Sequence, residues 1–147
     1  MAVFRHLLVP TDFGPSSTRA LQMALDLAAS LGAELTIAHV IEVPVYAYPG
    51  FSVSAIDMLS GIEEAARKSL HDLVESVKGR MPGVKSTLRT GSTAEEILAA
   101  SGETGADLIV MGTHGRRGVA HALLGSVAER VVQRSMVPVL TVRGQEA

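Results

Sequence analysis

Residues 107–115 read Asp-Leu-Ile-Val-Met-Gly-Thr-His-Gly and are the most informative segment for predicting the fold. The run Asp107–Gly112 is the strongest strand signal in the chain, because a short, continuously apolar run ended by a breaker is typical of a buried strand. Glycines follow it, and a helix is predicted from about Ser126 to Ser135. A buried strand that leads through glycines to a helix start predicts an anion site in an α/β fold.

The rest of the chain repeats this alternation of strand and helix. Further strands are predicted at Phe4–Val9, Glu34–Ile41, Val84–Arg89 and Val137–Arg143, and further helices at Ser16–Leu31, Ser54–Arg80 and from the overlapping capping boxes of residues 92–96 to about Gly102. Several strands are apolar throughout. We therefore expect a single domain over residues 1–147, of class α/β, with a five-stranded parallel sheet and helices on both faces.

Composition narrows the functional classes. The chain has 147 residues, of which 47% are hydrophobic and mostly aliphatic, and its formal charge is -2, without the basic excess of a general nucleic-acid binder. It lacks cysteine, which excludes disulfides, thiolate nucleophiles and cysteine-ligated metals. The sequence also lacks a signal peptide and a membrane-spanning run, so we expect a soluble, cytoplasmic protein that binds neither nucleic acid nor membrane.

The glycines are regularly placed. Gly112 is followed after two residues by Gly115, and after nine more by the pair Gly125-Ser126. Glycines let a backbone approach an anion closely, and a helix start offers unpaired N–H groups, so phosphate is the expected ligand. Arg116 and Arg117 could reach such a phosphate, although arginines in exposed loops are more often only solvated. The alternative is that the glycines only form turns, and that Ser126 and Glu129 form an ordinary capping box.

Two well-known phosphate loops are excluded. The chain contains no Gly-x-x-x-x-Gly-Lys-Ser/Thr sequence, and no Gly-x-Gly-x-x-Gly follows the first strand. The observed spacing, Gly-x2-Gly-x9-Gly-Ser, instead resembles the nucleotide signature of the ATP-binding universal stress proteins. The segments Pro10-Thr11-Asp12, His39-Val40, Met111–Gly115 and Val137–Leu140 resemble that family as well, so that the resemblance spans nearly the whole chain.

The resemblance implies strand order 3-2-1-4-5, as in the adenine nucleotide alpha hydrolase-like fold, and a role for each matching residue. Asp12 would bind the ribose hydroxyls or help to hold a divalent metal, Mg²⁺ or Mn²⁺, with the phosphates of ATP. The remaining residues would form the walls of the site. Those expected around adenine and ribose are Pro10, Thr11 and Val40, those around the phosphates are Gly112, Gly115, Gly125 and Ser126, with His114 and Arg116 nearby, and those beside the nucleoside and phosphate tail are Met111 and Val127.

Local chemistry leaves some of these roles open. Asp12 precedes Gly14-Pro15 and could equally fold back as an Asx turn or helix cap. His114 and His121 lack a nearby third ligand for zinc, and His39 is interpreted as a hydrogen-bonded core residue.

The last strand carries a second functional prediction. Proline is tolerated in a sheet mainly at strand starts and edges, so Pro138 predicts an edge strand. An exposed apolar edge invites pairing with another chain. Members of the resembled family dimerise through this strand, so a homodimer through Val137–Val142 is expected, and a further regulatory protein partner is left unidentified.

Three functions are compatible with these patterns. The first is a nucleotide-dependent stress-response or regulatory module without rapid catalysis. The second is an enzyme that hydrolyses ATP slowly or transfers an adenylyl group, since related folds host such chemistry. The third is a dimeric scaffold that has lost its nucleotide.

Overall fold

The computed structural model describes residues 3–42, 53–114 and 124–144. Strands and helices alternate along these ranges, as predicted. The strands are β1 (His6–Pro10), β2 (Glu34–Ile41), β3 (Lys85–Thr90), β4 (Leu108–Gly112) and β5 (Val139–Val142), and the helices are α1 (Pro15–Leu31), α2 (Val53–Val77), α3 (Thr93–Thr104) and α4 (Ser126–Arg134).

All five strands form one parallel sheet in the order β3-β2-β1-β4-β5, which confirms the predicted fold class and strand order. The chain winds outward from β1 to β3, crosses back over β1, and then winds outward again through β4 to β5. The winding reverses between β1 and β4. Ligands of such sheets bind outside the carboxyl ends of the strands at this reversal.

Two apolar layers enclose the sheet. On one face α1 and α2 pack against alternate residues of the central strands, such as Leu7 and Val110, and on the other α3 and α4 cover Leu8 and Ile109. These four side chains are fully buried. Burial on both faces explains why the central strands read as continuous apolar runs.

Several predicted boundaries differ from the structure. The second helix ends at Val77 instead of Arg80, because residues 78–80 form a turn. The last strand begins at Val139 instead of Val137, because the chain bends at residues 136–137. The first strand begins at His6 and ends at Pro10. Proline has no N–H to donate, but the N–H of the next residue, Thr11, donates to the carbonyl of Ala38 and continues the ladder to β2.

The third helix begins at the predicted capping residues, but the side-chain contacts of a capping box differ, and the box considered as an alternative at Ser126 does not form. Ser92 precedes α3 as its N-cap, but its hydroxyl donates a hydrogen bond to the Glu95 carboxylate at 2.6 Å instead of capping the backbone. Gly125 is the N-cap of α4, so Ser126 is already the first helical residue and cannot form the box with Glu129.

Asp107 joins the amino ends of two neighbouring strands, β1 and β4. Its carboxylate accepts hydrogen bonds from the backbone N–H groups of Arg5, at 2.8 Å, and His6, at 3.0 Å, which ties the start of β4 to β1. Desolvation raises the pKa of Asp107, but the hydrogen bonds from Arg5 and His6 and its own backbone outweigh it, so the pKa lies below its usual value.

Within the described ranges no helix has the length and apolar content needed to cross a bilayer.

Candidate functional site

A cavity of about 580 Å³ opens at the carboxyl ends of β1, β2 and β4, where the winding of the sheet reverses. Its volume lies within the range of ligand pockets, roughly 300 to 1,000 Å³. The starts of α3 and α4 complete its walls, through Thr93 and Ile97 of the one and residues 124–128 at the start of the other. The cavity therefore lies where the sequence analysis placed a ligand.

One wall of the cavity is aliphatic. It is formed by Ala38 and Val40 from β2, Ile97 from α3 and Met111 from β4, all of which are at least nine-tenths buried. The ladder between β1 and β2 ends where the N–H of Thr11 donates to the carbonyl of Ala38, at 2.8 Å. The next backbone groups on that side of β2 are those of Val40, which lie beyond the end of β1 and face the cavity.

Two acidic residues line the cavity, Glu42 after β2 and Asp12 in the loop between β1 and α1. Asp12 Oδ1 accepts two hydrogen bonds, from the backbone N–H of Gly14 at 2.8 Å and from the hydroxyl of Ser17 at 2.9 Å. The first of these is the Asx turn predicted as the alternative to a ligand role. Among the described residues Oδ2 accepts no hydrogen bond, so the turn leaves one carboxylate oxygen available to a ligand in the cavity.

His39 lies at the wall of this cavity, not in the core. Its Nδ1 is 2.7 Å from the carbonyl oxygen of Thr11, and its ring centroid is 4.5 Å from that of Phe13. Its assignment as a hydrogen-bonded residue is confirmed, but its placement in the core is wrong. The strand ends one residue beyond Val40, so a side chain this close to the carboxyl end borders the loop after β1 instead of the apolar layer.

Gly112 ends β4 where α1 begins. A Cβ atom at this position would lie 2.7 Å from the carbonyl carbon of Ser16 and 2.9 Å from its Cβ, closer than real Cβ contacts. Ser16 is 6% exposed, and its hydroxyl donates to the carbonyl of Val142 and accepts from the N–H of His114, both at 3.4 Å. The glycine is therefore required for the contact between β4 and α1, whatever the cavity binds.

The start of α4 forms another part of the cavity wall. Gly125 is the N-cap, and its N–H donates to the carbonyl of Thr113, which holds the helix start beside the end of β4. Ser126 and Val127 are the first two helical residues and line the cavity. Their N–H groups have no partner within the helix, so this end of α4 presents donors and a partial positive charge.

The structure thus brings most of the predicted site residues together. Those at the cavity wall are Pro10, Thr11, Asp12, Val40, Met111, Gly112, His114, Gly125, Ser126 and Val127. Gly115 and Arg116 lie outside the described residues.

Other residues of the cavity were not predicted. Thr93 and Ile97 stand one helical turn apart on α3, and the capping signal before that helix could have shown that its start faces the same edge of the sheet. Ala38 was recoverable too, because side chains two residues apart on a strand share a face and Val40 had been identified. For Ser17 the sequence contains no signal that we can identify.

The comparisons with known proteins agree with this architecture. The model of the Universal stress protein family matches residues 4–143. Universal stress protein A homolog 1 of Coxiella burnetii is 34% identical over 141 residues, which cover 95% of this chain and 96% of that protein. The solved structure of hypothetical protein MJ0577 is 26% identical, with a TM-score of 0.80 and coverage of 97% of this chain and 98% of that one; the protein comes from Methanocaldococcus jannaschii.

Two solved structures with the same fold contain a nucleotide. One is a universal stress protein in complex with cAMP, with 23% identity, a TM-score of 0.70 and coverage of 98% of this chain and 100% of that one. The other is a family protein from Arabidopsis thaliana with AMP bound, with 18% identity, a TM-score of 0.69 and coverage of 96% and 92%. The family match over residues 4–143 and the bacterial relative show that this chain belongs to the universal stress protein family.

Proposed function

We propose that this chain binds ATP at the carboxyl edge of its sheet and acts as a nucleotide-dependent module of the stress response. The observation that carries the proposal is the arrangement of the cavity. An aliphatic wall, Asp12 in the loop after β1 and the start of α4 all line the same cavity. A nucleoside triphosphate has a part that matches each of them, namely a flat base for the aliphatic wall, a hydroxylated sugar for Asp12 and an anionic tail for the start of α4.

Adenine fits the aliphatic wall. Ala38, Ile97 and Met111 offer it apolar contacts, and the backbone N–H and C=O of Val40 offer one donor and one acceptor at the end of β2. Adenine carries an amino donor next to a ring-nitrogen acceptor, which is the complementary pair. Guanine carries a carbonyl and a ring N–H at the corresponding positions, so the same backbone groups would disfavour it.

The phosphates fit the start of α4. The N–H groups of Ser126 and Val127 are free of helical partners, and the helix dipole favours an anion there. We assign Gly115 and Arg116 to the same phosphate contacts on the strength of the family spacing, although they lie outside the described residues.

Asp12 fits either the ribose or a magnesium ion held with the phosphates. Mg²⁺ commonly binds to one or two carboxylates together with phosphate oxygens and water. Among the described residues no group of three or more His, Cys, Asp or Glu side chains could hold a metal by itself. A magnesium ion at Asp12 would therefore depend on the nucleotide, and metal binding without ATP is expected to be weak.

The nucleotide-bound relatives support an adenine ligand. Proteins of the same fold hold cAMP in one structure and AMP in another. Both ligands share adenine and ribose with ATP and differ in the phosphate part, which we assign to the start of α4.

Calorimetric titration with ATP and magnesium tests the proposal. We expect saturable binding at one site per chain, with GTP binding at least about tenfold more weakly because its base mismatches the Val40 backbone. Denatured protein analysed by mass spectrometry would release copurified adenine nucleotide. Absence of binding at about 1 mM ATP, which corresponds to about 4 kcal/mol of binding free energy, would refute nucleotide binding and leave the scaffold function.

We do not expect rapid catalysis. The groups that we assign to the phosphates, the N–H groups of Ser126 and Val127, only donate hydrogen bonds, and we assign no side chain of the cavity to the activation of water. Slow hydrolysis is compatible with the site, and adenylyl transfer would require a second substrate. ADP or AMP formation faster than about 1 s⁻¹, the lower end of ordinary enzyme turnover, would contradict the regulatory role.

We also propose that the chain forms a homodimer through β5. The strand is at the edge of the sheet, which confirms its predicted position, and Leu140 on it is 37% exposed. Met136, just before the strand, is 97% exposed. Unpaired backbone groups beside apolar side chains favour pairing with a second copy. A monomer mass that stays constant with concentration in sedimentation would refute the dimer. The cytoplasmic location and an additional protein partner remain predictions from the sequence and the family.

A further inference from the structure

Phe13 has an unusual backbone conformation beside the cavity. Its φ is +65°, and it alone has a positive φ among the described residues other than glycine. A bulky side chain in this left-handed region is strained, and the conformation persists only where the surroundings impose it. Phe13 lies between Asp12, which lines the cavity, and Gly14, which begins α1 as its N-cap.

Two neighbours impose the conformation. The backbone N–H of Phe13 donates to Thr11 Oγ1 at 3.0 Å, and its ring packs against that of His39, with 4.5 Å between centroids and a tilt of 40°. His39 Nδ1 lies 2.7 Å from the carbonyl oxygen of Thr11. A carbonyl only accepts, so Nδ1 carries a hydrogen and donates it. His39 is thus fixed by Thr11 on one side and by Phe13 on the other.

The turn at Phe13 determines where the Asp12 carboxylate lies. The left-handed residue brings the Gly14 N–H back to Asp12 Oδ1, at 2.8 Å, and the Ser17 hydroxyl reaches the same oxygen at 2.9 Å. With Oδ1 fixed, rotation of the carboxylate is restricted, and Oδ2 accepts no hydrogen bond from the described residues and stays available to a ligand of the cavity that Asp12 lines.

We propose that Phe13 and His39 are positioning residues that hold the Asp12 carboxylate toward the cavity before a ligand arrives. The identity of the ligand rests on the proposed function, in which Asp12 is assigned to ribose or magnesium. The contact among Thr11, Phe13 and His39 is a property of the chain alone. Fixing a polar group in advance improves affinity because the ligand does not have to order it on binding.

The first experiment needs no ligand. Hydrogen exchange of the Gly14 amide, measured by NMR, reports whether its bond to Asp12 persists. His39→Phe keeps an aromatic ring for Phe13 but removes the donor to Thr11, whereas His39→Asn keeps a donor and removes the ring. We expect Gly14 to exchange about tenfold faster in both variants, with unfolding midpoints close to wild type. His71→Phe, at an exposed position of α2, is the matched control and should leave exchange unchanged. Wild-type protection in both His39 variants would overturn the inference.

The second experiment separates positioning from general stability. ATP affinity is measured for wild type, His39→Phe, Asp12→Asn and the double variant. If His39 acts through Asp12, His39→Phe weakens binding about tenfold in the wild-type background and less than twofold when Asp12 is already Asn. An equal loss in both backgrounds would overturn the inference while ATP binding stands. If wild type fails to bind ATP but Gly14 exchange responds as expected, the proposed function falls and the positioning of Asp12 stands.

Discussion

Replacing Gly112 by alanine tests whether packing or ligand approach requires a glycine at the end of β4. The added Cβ would meet the carbonyl carbon of Ser16 at 2.7 Å and its Cβ at 2.9 Å. The closest groups include α1 backbone, which cannot rotate away as a flexible side chain would. The helix start must therefore shift, and it would strain the hydrogen bonds that Ser16 makes with Val142 and His114.

The magnitude follows from the cost of overpacking. Inserting a methyl group into a well-packed contact typically costs about 1 to 3 kcal/mol, and a rigid backbone neighbour places Gly112→Ala at about 2 kcal/mol or more. For a domain of this size each kcal/mol lowers the melting temperature by roughly 2 to 5 °C. We therefore expect Gly112→Ala to melt about 4 to 10 °C below wild type.

Thermal denaturation without nucleotide measures the melting temperature, urea denaturation measures the free energy of unfolding, and Gly144→Ala provides the control for both. A Cβ at Gly144 would touch the same residue, Ser16, but at 3.4 Å, which is an ordinary contact, so a change below about 0.5 kcal/mol is expected. If Gly112→Ala is as stable as Gly144→Ala but no longer binds ATP, the packing explanation is wrong and close approach of a ligand explains the glycine.

Three further predictions concern other parts of the chain. Asp107→Asn should lower the free energy of unfolding by about 1 kcal/mol at neutral pH. Because the pKa of Asp107 is lowered in the folded state, its carboxylate stabilises the fold above the unfolded pKa near 4, and this stabilisation disappears as the pH falls through the folded pKa. Equal differences between variant and wild type at pH 2 and pH 7 would contradict this. Ile97 is 2% exposed, so Ile97→Ala should lower the free energy of unfolding in urea by about 3 kcal/mol. Val132 is 44% exposed, so Val132→Ala should lower it by less than about 0.5 kcal/mol. Leu140→Lys should convert a sedimenting dimer to monomer, because it places a charge on the edge of the sheet.

Much of the fold was predictable because local patterns determine it. The second strand was predicted at Glu34–Ile41 and lies there, since its apolar run is bounded on both sides and buried on both faces. The position of β5 at the edge followed from Pro138, whose carbonyl accepts from Ile109 although its nitrogen cannot donate. The strand order came from the family resemblance, because periodicity alone does not say which strands are neighbours.

The candidate site was less predictable because its contacts join residues far apart in sequence. The chain gives no local sign that Ser16 occupies the space above Gly112, or that His39 reaches the carbonyl of Thr11. The positive φ of Phe13 was also hidden, since glycine is the residue ordinarily expected there. Such features arise from tertiary contacts, which a pattern in one segment does not record.

The glycine motif therefore has two physical causes that the sequence cannot separate. Neither Gly112 nor Gly125 has a positive φ, and Gly112 is required by its contact with α1. A chain that had lost its nucleotide would still need Gly112 to keep α1 packed on β4. The glycine spacing thus identifies the fold more firmly than it identifies a ligand. The stronger argument for a nucleotide is Asp12, which lines the cavity. Contacts that the packing of α1 on β4 does not require fix one of its carboxylate oxygens, and the other accepts no hydrogen bond from the described residues.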